Sequence, residues 1–171
     1  MDVFEAIRTK LEVREFSEKK VPDEVKLRVL EAARLTPSGL NSQHWRFILV
    51  EEREGLRRLA ETSTTGRWIS GADFAVIVLT NPRYRFHMID AGRAIQDMQL
   101  TAWSYGVLSC IYTGVKEDEM RRVFNIPGEL SVTAVVGFGY PRRKVYGRKR
   151  RLPLEKIAFS ESYGRRLRLL E

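Results

Sequence analysis

Cysteine and histidine are scarce in this 171-residue sequence. Cys110 is the single cysteine, which excludes an intrachain disulfide and a metal site built from cysteines. The two histidines, His44 and His87, are far apart and have no obvious carboxylate partners, so we expect structural roles for both and no metal. Two isolated histidines also give no basis for a Ser-His-Asp catalytic arrangement.

Long apolar runs and nucleotide-binding fingerprints are missing as well. No apolar run approaches the roughly 20 residues that span a bilayer, and the N-terminal MDVFEAIRTK carries acidic residues and no apolar h-region. We therefore expect a cytoplasmic chain with no membrane partner. Residues 137–139 form a lone Gly-x-Gly after an apolar run, without the third glycine of a dinucleotide-binding motif.

The composition is that of an ordinary globular domain with an excess of basic residues. Hydrophobic residues make up 43% of the chain and charged residues 30%, so we expect a single domain over residues 1–171 with a real core. The net charge of +8 is typical of nucleic-acid binders and of proteins that hold anionic ligands. The basic run at residues 142–151, RRKVYGRKRR, has few interleaved aromatic residues and no recognition-helix motif. A nucleic-acid-binding module is therefore the weaker interpretation.

Hydrophobic periodicity predicts a mixture of helices and strands. The apolar stripe of the helix at 89–105, which includes Ala94 and Met98, fits either a monomer core or a subunit interface. Trp68 either caps the core or forms part of a substrate wall. Helices are predicted at residues 2–11, 22–35, 52–61, 89–105 and 116–125, strands at 47–50, 74–79 and 131–139, and a short strand or loop at 107–113.

The segment at residues 33–47, ARLTPSGLNSQHWRF, is the stretch around which the chain is organised. Pro37 pushes Thr36 out of the α region and so ends the preceding helix. Ser38, Gly39 and Asn41 are short residues that tolerate tight conformations and expose backbone N–H groups. Such a turn can hold a flat polar ring, although a helix stop signal alone would give the same pattern. We call residues 37–43 the cradle.

The segment resembles the signature Ala-Pro-Ser-x-x-Asn-x-Gln-Pro-Trp-x-Phe of the nitroreductase family of FMN-dependent oxidoreductases. Thr36 stands at the Ala position and His44 at the second Pro. The resemblance implies that the cradle lies against the flavin ring, with Asn41 at the ring edge and Pro37, Ser38 and Gly39 giving backbone contacts. The matching positions are Pro37, Ser38, Asn41, Gln43, Trp45 and Phe47.

Two weaker motifs extend the resemblance to the phosphate of the cofactor. Residues 10–16 are similar to the family's Arg-x-Ser-x-Arg-x-Phe, with Lys10 and Arg14 at the basic positions and Glu12 in place of the Ser. A carboxylate beside a phosphate is repulsive unless it turns away or pairs with a nearby cation. Near the C-terminus, Arg151 begins a match to Arg-x-Pro-Leu, and Lys149 is a second candidate. The resemblance also places Ile111, Tyr112, Thr113 and Gly114 along the flavin ring.

The resemblance implies an α+β fold with a central, mostly antiparallel sheet of about four or five strands and helices on both faces. It implies an intertwined homodimer, in which residues 155–171 form an arm and a terminal helix on the partner. The expected activity is ping-pong transfer from NADH or NADPH through FMN to a nitroaromatic, a quinone or a similar small acceptor. The flavin carries this chemistry, so no catalytic side chain is expected. Dehalogenation and flavin breakdown, both found in the superfamily, remain alternatives.

Overall fold

The computed structural model describes residues 2–170, which fold into five α-helices and four β-strands. Each of the helices and strands predicted between residues 2 and 139 forms, with ends that differ from the prediction by at most two residues. The elements are α1 (Val3–Thr9), α2 (Asp23–Leu35), β1 (Arg46–Val50), α3 (Arg53–Glu61), β2 (Phe74–Thr80), α4 (His87–Ser104), β3 (Leu108–Tyr112), α5 (Glu117–Phe124) and β4 (Ser131–Gly139).

The four strands form one sheet in the order β1-β2-β4-β3, and every pair of neighbouring strands is antiparallel. Every residue of β2 is buried, as expected for a continuous apolar run that is covered on both faces. β4 pairs with β2 on one side and with β3 on the other, so the two central strands carry the most apolar sequences. The predicted α+β fold is confirmed.

Alternate residues of the central strands point into two cores, one on each face of the sheet. On one face Phe74 and Phe138 stack with their ring centroids 4.7 Å apart, beneath α2 and α4. On the other face Ile77 packs with Leu59 of α3 and Met120 of α5. This alternation is the period-two geometry of a strand, which sends successive side chains to opposite faces.

The apolar stripe of α4 is buried within its own chain. Ala91, Ala94, Met98 and Ala102 have no exposed surface, and they pack in the core with α2 and the central strands. The interpretation of this stripe as a subunit interface is therefore wrong. The small residues serve instead to bring α2 and α4 close together over the sheet.

α1 forms as predicted and buries Ala6, but its large apolar residues are not covered by the described chain. Asp2 caps the helix by accepting a hydrogen bond from the Glu5 N–H at 2.8 Å. Val3 and Phe4 are each 73% exposed, and Ile7 is exposed as well. The predicted amphipathic face thus lies on the surface of a single chain.

The C-terminal segment differs from the prediction. Residues 154–170 contain two 3-10 turns, at Leu154–Lys156 and Arg168–Leu170, and no α-helix. Glu171, the last residue of the predicted arm, lies outside the described residues. Along this segment large apolar side chains face solvent, including Tyr163 at 94% and Leu169 at 90% exposed. The predicted terminal helix is therefore wrong for residues 155–170, most of which are exposed, and helices this short depend on packing.

Candidate functional site

The cradle begins where α2 ends at Leu35, because Thr36 takes up an extended conformation before Pro37. A 3-10 turn follows at Gly39–Asn41. Leu40, Asn41 and Gln43 all have positive φ angles, of 53°, 51° and 45°. Such angles are uncommon for residues other than glycine, and they persist where the surrounding structure holds the backbone in place.

Two side chains inside the cradle stabilise this backbone. The Ser38 Oγ accepts a hydrogen bond from the Gln43 N–H at 3.0 Å and so closes the turn. The Gln43 side-chain amide donates to the Asn41 Oδ1 at 3.2 Å. Pro37, Asn41 and Gln43 are exposed, so the cradle presents its polar groups to solvent.

Gly39 is required by the packing beneath the cradle. A Cβ at this position would lie 2.7 Å from the Phe86 ring, which is closer than any real Cβ contact. The backbone of the cradle therefore rests directly on the aromatic ring, as the sequence interpretation of a tight turn anticipated.

A buried histidine–carboxylate pair anchors the cradle from below. Asp90, in the first turn of α4, has no exposed surface, and it accepts hydrogen bonds from the Gly39 N–H at 3.1 Å and from the His44 Nε2 at 3.2 Å. The Asn81 N–H points at the His44 Nδ1 at 3.4 Å, so Nδ1 accepts and the proton lies on Nε2. The expectation that His44 has no carboxylate partner is wrong. Its structural role is supported by this pair and by stacking on the Tyr84 ring at 4.9 Å.

His87 is half-buried, and its Nδ1 lies 2.9 Å from the Thr80 Oγ1. Among residues 2–170 there is no group of three or more His, Cys, Asp or Glu side chains that could hold a metal ion. In the same part of the chain no helix is both long and apolar enough to cross a membrane.

The basic residues expected at the phosphate come together from opposite ends of the chain. Lys10, Lys149 and Arg151 line one cavity of about 540 Å³. The Lys149 ammonium donates a hydrogen bond to the Ile7 carbonyl at the end of α1, which ties residues 148–151 to the N-terminal helix. The complete lining is Ile7, Lys10, Leu11, Glu12, Gln96, Arg148, Lys149, Arg150 and Arg151.

The electrostatics of this cavity favour an anion. Desolvation, and then the neighbouring positive charges of Lys10 and Arg151, lower the pKa of the Lys149 ammonium below its ordinary value. The group is thus held in a positive field that the carboxylate of Glu12 only partly offsets. An anionic ligand would relieve this repulsion between cations.

Arg14 lies on the other side of Glu12. It lines an adjoining cavity of about 470 Å³ together with Glu15 and Arg143, and Glu12 lines both cavities. Burial raises the pKa of the Cys110 thiol above its ordinary value, although the neighbouring Arg14 guanidinium opposes that shift. The cysteine is thus a buried neutral thiol beside the predicted phosphate site.

Glu12 is partly exposed, but two partners hold its carboxylate in place. Its carboxylate forms an ion pair with the Lys10 ammonium and accepts from the Gln99 Nε2 at 3.2 Å at both oxygens. Gln99 also donates to the Ser109 Oγ at 3.0 Å. The possibility that Glu12 pairs with Lys10 is confirmed, and Gln99 is a partner that the sequence interpretation missed.

The residues expected along the flavin ring lie at the end of the edge strand β3. Tyr112 faces the core, where its hydroxyl donates to the Leu59 carbonyl at 3.3 Å, so the backbone is the part of this residue left for a ligand. Ile111 points to the opposite face of the sheet and Thr113 is exposed. A Cβ on Gly114 would lie 2.4 Å from the Thr64 Oγ1, so this position requires glycine.

Within one chain the cradle and the basic cavity adjoin different parts of α4. The cradle contacts the helix at Asp90, and the cavity reaches it at Gln96. Six residues at about 1.5 Å each put these positions roughly 9 Å apart along the helix axis. The sequence interpretation missed Asp90, although helical spacing could have found it. Asp90 shares a face of α4 with Ala94 and Met98, so it is a polar residue in a buried apolar stripe.

The fold and the cationic cavity define an α+β protein with a candidate site for an anionic ligand. The family model described as Nitroreductase family matches two overlapping segments of the sequence, residues 7–80 and 63–140. The chain therefore belongs to the nitroreductase family.

Individual relatives agree with this assignment. A protein of Methanothermobacter thermautotrophicus, provisionally named NADH dehydrogenase/NAD(P)H nitroreductase, is 33% identical over 150 residues, which are 82% of this chain and 78% of the relative. A more distant relative from Thermotoga neapolitana, named iodotyrosine deiodinase, is 24% identical over 164 residues, 81% of this chain and 88% of the relative. The solved structure of an FMN-dependent nitroreductase from Clostridium difficile has the same fold, with a TM-score of 0.86, 21% identity and coverage of 94% of this chain and 100% of that one.

Proposed function

We propose that this protein is an FMN-dependent oxidoreductase that transfers reducing equivalents from NADH or NADPH to a small acceptor such as a nitroaromatic or a quinone. The observation that carries the proposal is the convergence of Lys10, Lys149 and Arg151 on one cavity. A phosphate monoester carries close to two negative charges at neutral pH, and it matches a cavity whose cations repel one another. The names of the Methanothermobacter and Clostridium relatives support the nicotinamide donor and the flavin.

The residues of the chain would bind and orient the cofactor. Lys149 and Arg151 would donate charge-assisted hydrogen bonds to its phosphate. The cradle would present the exposed side chains of Asn41 and Gln43 from a conformation already held by Asp90. When bound, FMN supplies the redox chemistry, since it accepts a hydride from a reduced nicotinamide and returns electrons to an acceptor. The protein then needs no acid or base of its own, and His44, the residue after the cradle, is buried and bonded to Asp90.

The purified protein is expected to be yellow or to take up FMN. The measurement is its visible absorbance spectrum, followed by quenching of the fluorescence of added FMN. A protein that is folded by circular dichroism but neither carries flavin nor quenches FMN would overturn the proposal. If the protein takes up FMN but neither NADH nor NADPH reduces the bound flavin, the result would support FMN as the cofactor and contradict the proposed electron donor.

The protein is also expected to be an obligate homodimer. Apolar side chains on α1 and on the C-terminal segment, such as Phe4, Tyr163 and Leu169, are exposed in a single chain and need a covering surface. A second copy would supply that surface, and it would bring its own cradle to the basic cavity of the first. Sedimentation velocity checks this expectation. A monomer that binds flavin at full occupancy contradicts it.

Dehalogenation is the second candidate, because the Thermotoga relative is named iodotyrosine deiodinase. The two activities differ in the acceptor, so one assay separates them. The reduced protein would be mixed with a nitroaromatic, a quinone or a halogenated tyrosine, and reoxidation and halide release would be followed together. Release of halide faster than reduction of the other acceptors would favour the second candidate.

A further inference from the structure

Glu12 occupies an unusual place between the cations of the predicted phosphate site. Of the described residues that line the 540 Å³ cavity, it is the only one with a carboxylate, and its side chain is 44% exposed. The Glu12 carboxylate is bonded to the side chains of Lys10 and Gln99, and both of these side chains are buried. The carboxylate is thus fixed at the wall of the cavity rather than free to turn away.

The charges that face Glu12 come from several elements. Lys10 faces it from the end of α1, and Gln99 of α4 and Ser109 of β3 contribute neutral hydrogen-bonding groups. Arg14 and the neutral thiol of Cys110 lie on the side of the adjoining cavity. The remaining charges belong to the C-terminal segment, namely Arg148, Lys149, Arg150 and Arg151.

A carboxylate in this position acts differently on ligands of different charge. The charge of Lys10 is already shared with Glu12, so a phosphate bound there would gain less from it. Repulsion from the carboxylate grows with the charge of the phosphate, which is about −2 above a second pKa near 6 and −1 below it. A flavin without a phosphate, such as riboflavin, would not experience this repulsion.

We propose that Glu12 is a specificity-determining residue that lowers the preference of the site for phosphorylated over unphosphorylated flavin. The inference rests on the proposed binding of FMN and concerns this chain's own departure from the Ser of the family motif. The preference of the parent protein for FMN over riboflavin is therefore smaller than that of a variant without the carboxylate.

The test compares FMN with riboflavin in the parent protein, Glu12→Gln and Glu12→Asp. Glu12→Gln removes the charge and keeps the shape and a partner for Lys10, whereas Glu12→Asp keeps the charge and serves as the matched control. Fluorescence titrations at pH 7.5 are expected to show about tenfold tighter FMN binding for Glu12→Gln, about the effect of one pKa unit of interaction. Riboflavin affinity should change by less than about twofold, and Glu12→Asp should behave like the parent protein.

The pH dependence gives a readout that a structural role would not move. At pH 5.5 the FMN phosphate carries about one charge, so the advantage of Glu12→Gln over the parent should shrink to about threefold. Falling pH can only add positive charge at Lys149. Because Glu12 raises the pKa of that ammonium, any such gain would be larger in Glu12→Gln and would oppose the expected decrease of its advantage. A smaller advantage at pH 5.5 therefore reports the charge of the phosphate beside Glu12.

Equal or weaker FMN binding by Glu12→Gln, or the same change for riboflavin as for FMN, overturns the inference. If Glu12→Gln is not folded by circular dichroism, Glu12→Ser carries the same expectations. A parent protein and variants that bind neither flavin would reject the proposed cofactor itself, whereas flavin binding with no change in discrimination rejects only the role of Glu12.

Discussion

Asp90→Ala is expected to lower the free energy of unfolding by about 2–6 kcal/mol, because it leaves two buried donors unsatisfied at about 1–3 kcal/mol each. The carboxylate is fully buried and accepts from the Gly39 N–H and from the His44 Nε2. Its removal leaves both donors without an acceptor. Urea denaturation followed by circular dichroism measures the loss.

Two further variants make this experiment specific. Arg93 approaches Asp90 at 3.9 Å from the exposed side, so Arg93→Ala should cost less than about 1 kcal/mol. Asp90→Asn keeps an oxygen for the Gly39 N–H but places an N–H₂ group against the His44 Nε2. That nitrogen carries the ring proton, because the His44 Nδ1 accepts from the Asn81 N–H, so two donors would face each other. The decrease in the free energy of unfolding for Asp90→Asn should lie between those for Asp90→Ala and Arg93→Ala. If Asp90→Ala costs less than about 1 kcal/mol, the pair does not anchor the cradle.

Arg151→Ala and Arg14→Ala are each expected to weaken FMN binding by about 1.5–3 kcal/mol, or about ten- to one-hundred-fold in Kd. Arg151 lines the same cavity as Lys10 and Lys149, while Arg14 reaches Glu12 from the adjoining cavity. Hydrogen bonds from a guanidinium to a phosphate are charge-assisted and are lost with the side chain. Fluorescence titration with FMN measures the effect.

Riboflavin and a remote arginine provide the controls for this prediction. Riboflavin has no phosphate, so its affinity should change little in either variant. Arg122 is exposed on α5, and Arg122→Ala removes the same charge from the chain without touching either cavity. It should bind FMN like the parent at 0.15 M salt, where distant surface charges are screened. Parent-like FMN affinity in both Arg14→Ala and Arg151→Ala would show that the phosphate site has been assigned to the wrong residues.

Local patterns were sufficient to predict most of the fold. α2 ends at Leu35 because Pro37 disfavours the α region at Thr36, the preceding residue. This constraint acts between neighbours in the sequence. The apolar run of β2 predicts a strand covered on both faces, and each of its residues is buried. The motif at residues 37–47 identified the nitroreductase family, which the match over residues 7–80 and 63–140 confirms.

The same patterns were insufficient wherever two surfaces compete for one apolar face. Helical spacing predicts the stripe of α4 but not its cover, and the structure shows that α2 and the sheet bury it. Val3 and Ile7 of α1, at the same kind of spacing, are exposed. The C-terminal segment forms no α-helix in residues 155–170, since an isolated short segment gains too little from propensity alone.

By itself, the sequence determined the order of helices and strands, the turn at the cradle and the family, because these depend on neighbouring residues and on spacing along the chain. Only the tertiary structure decided which distant charges meet. Asp90 reaches the cradle across 51 positions of sequence, and Gln99 reaches Glu12 across 87. Such pairs form because the packing of α4 against α2 and the sheet fixes where each polar side chain points, and a buried carboxylate must then find a donor.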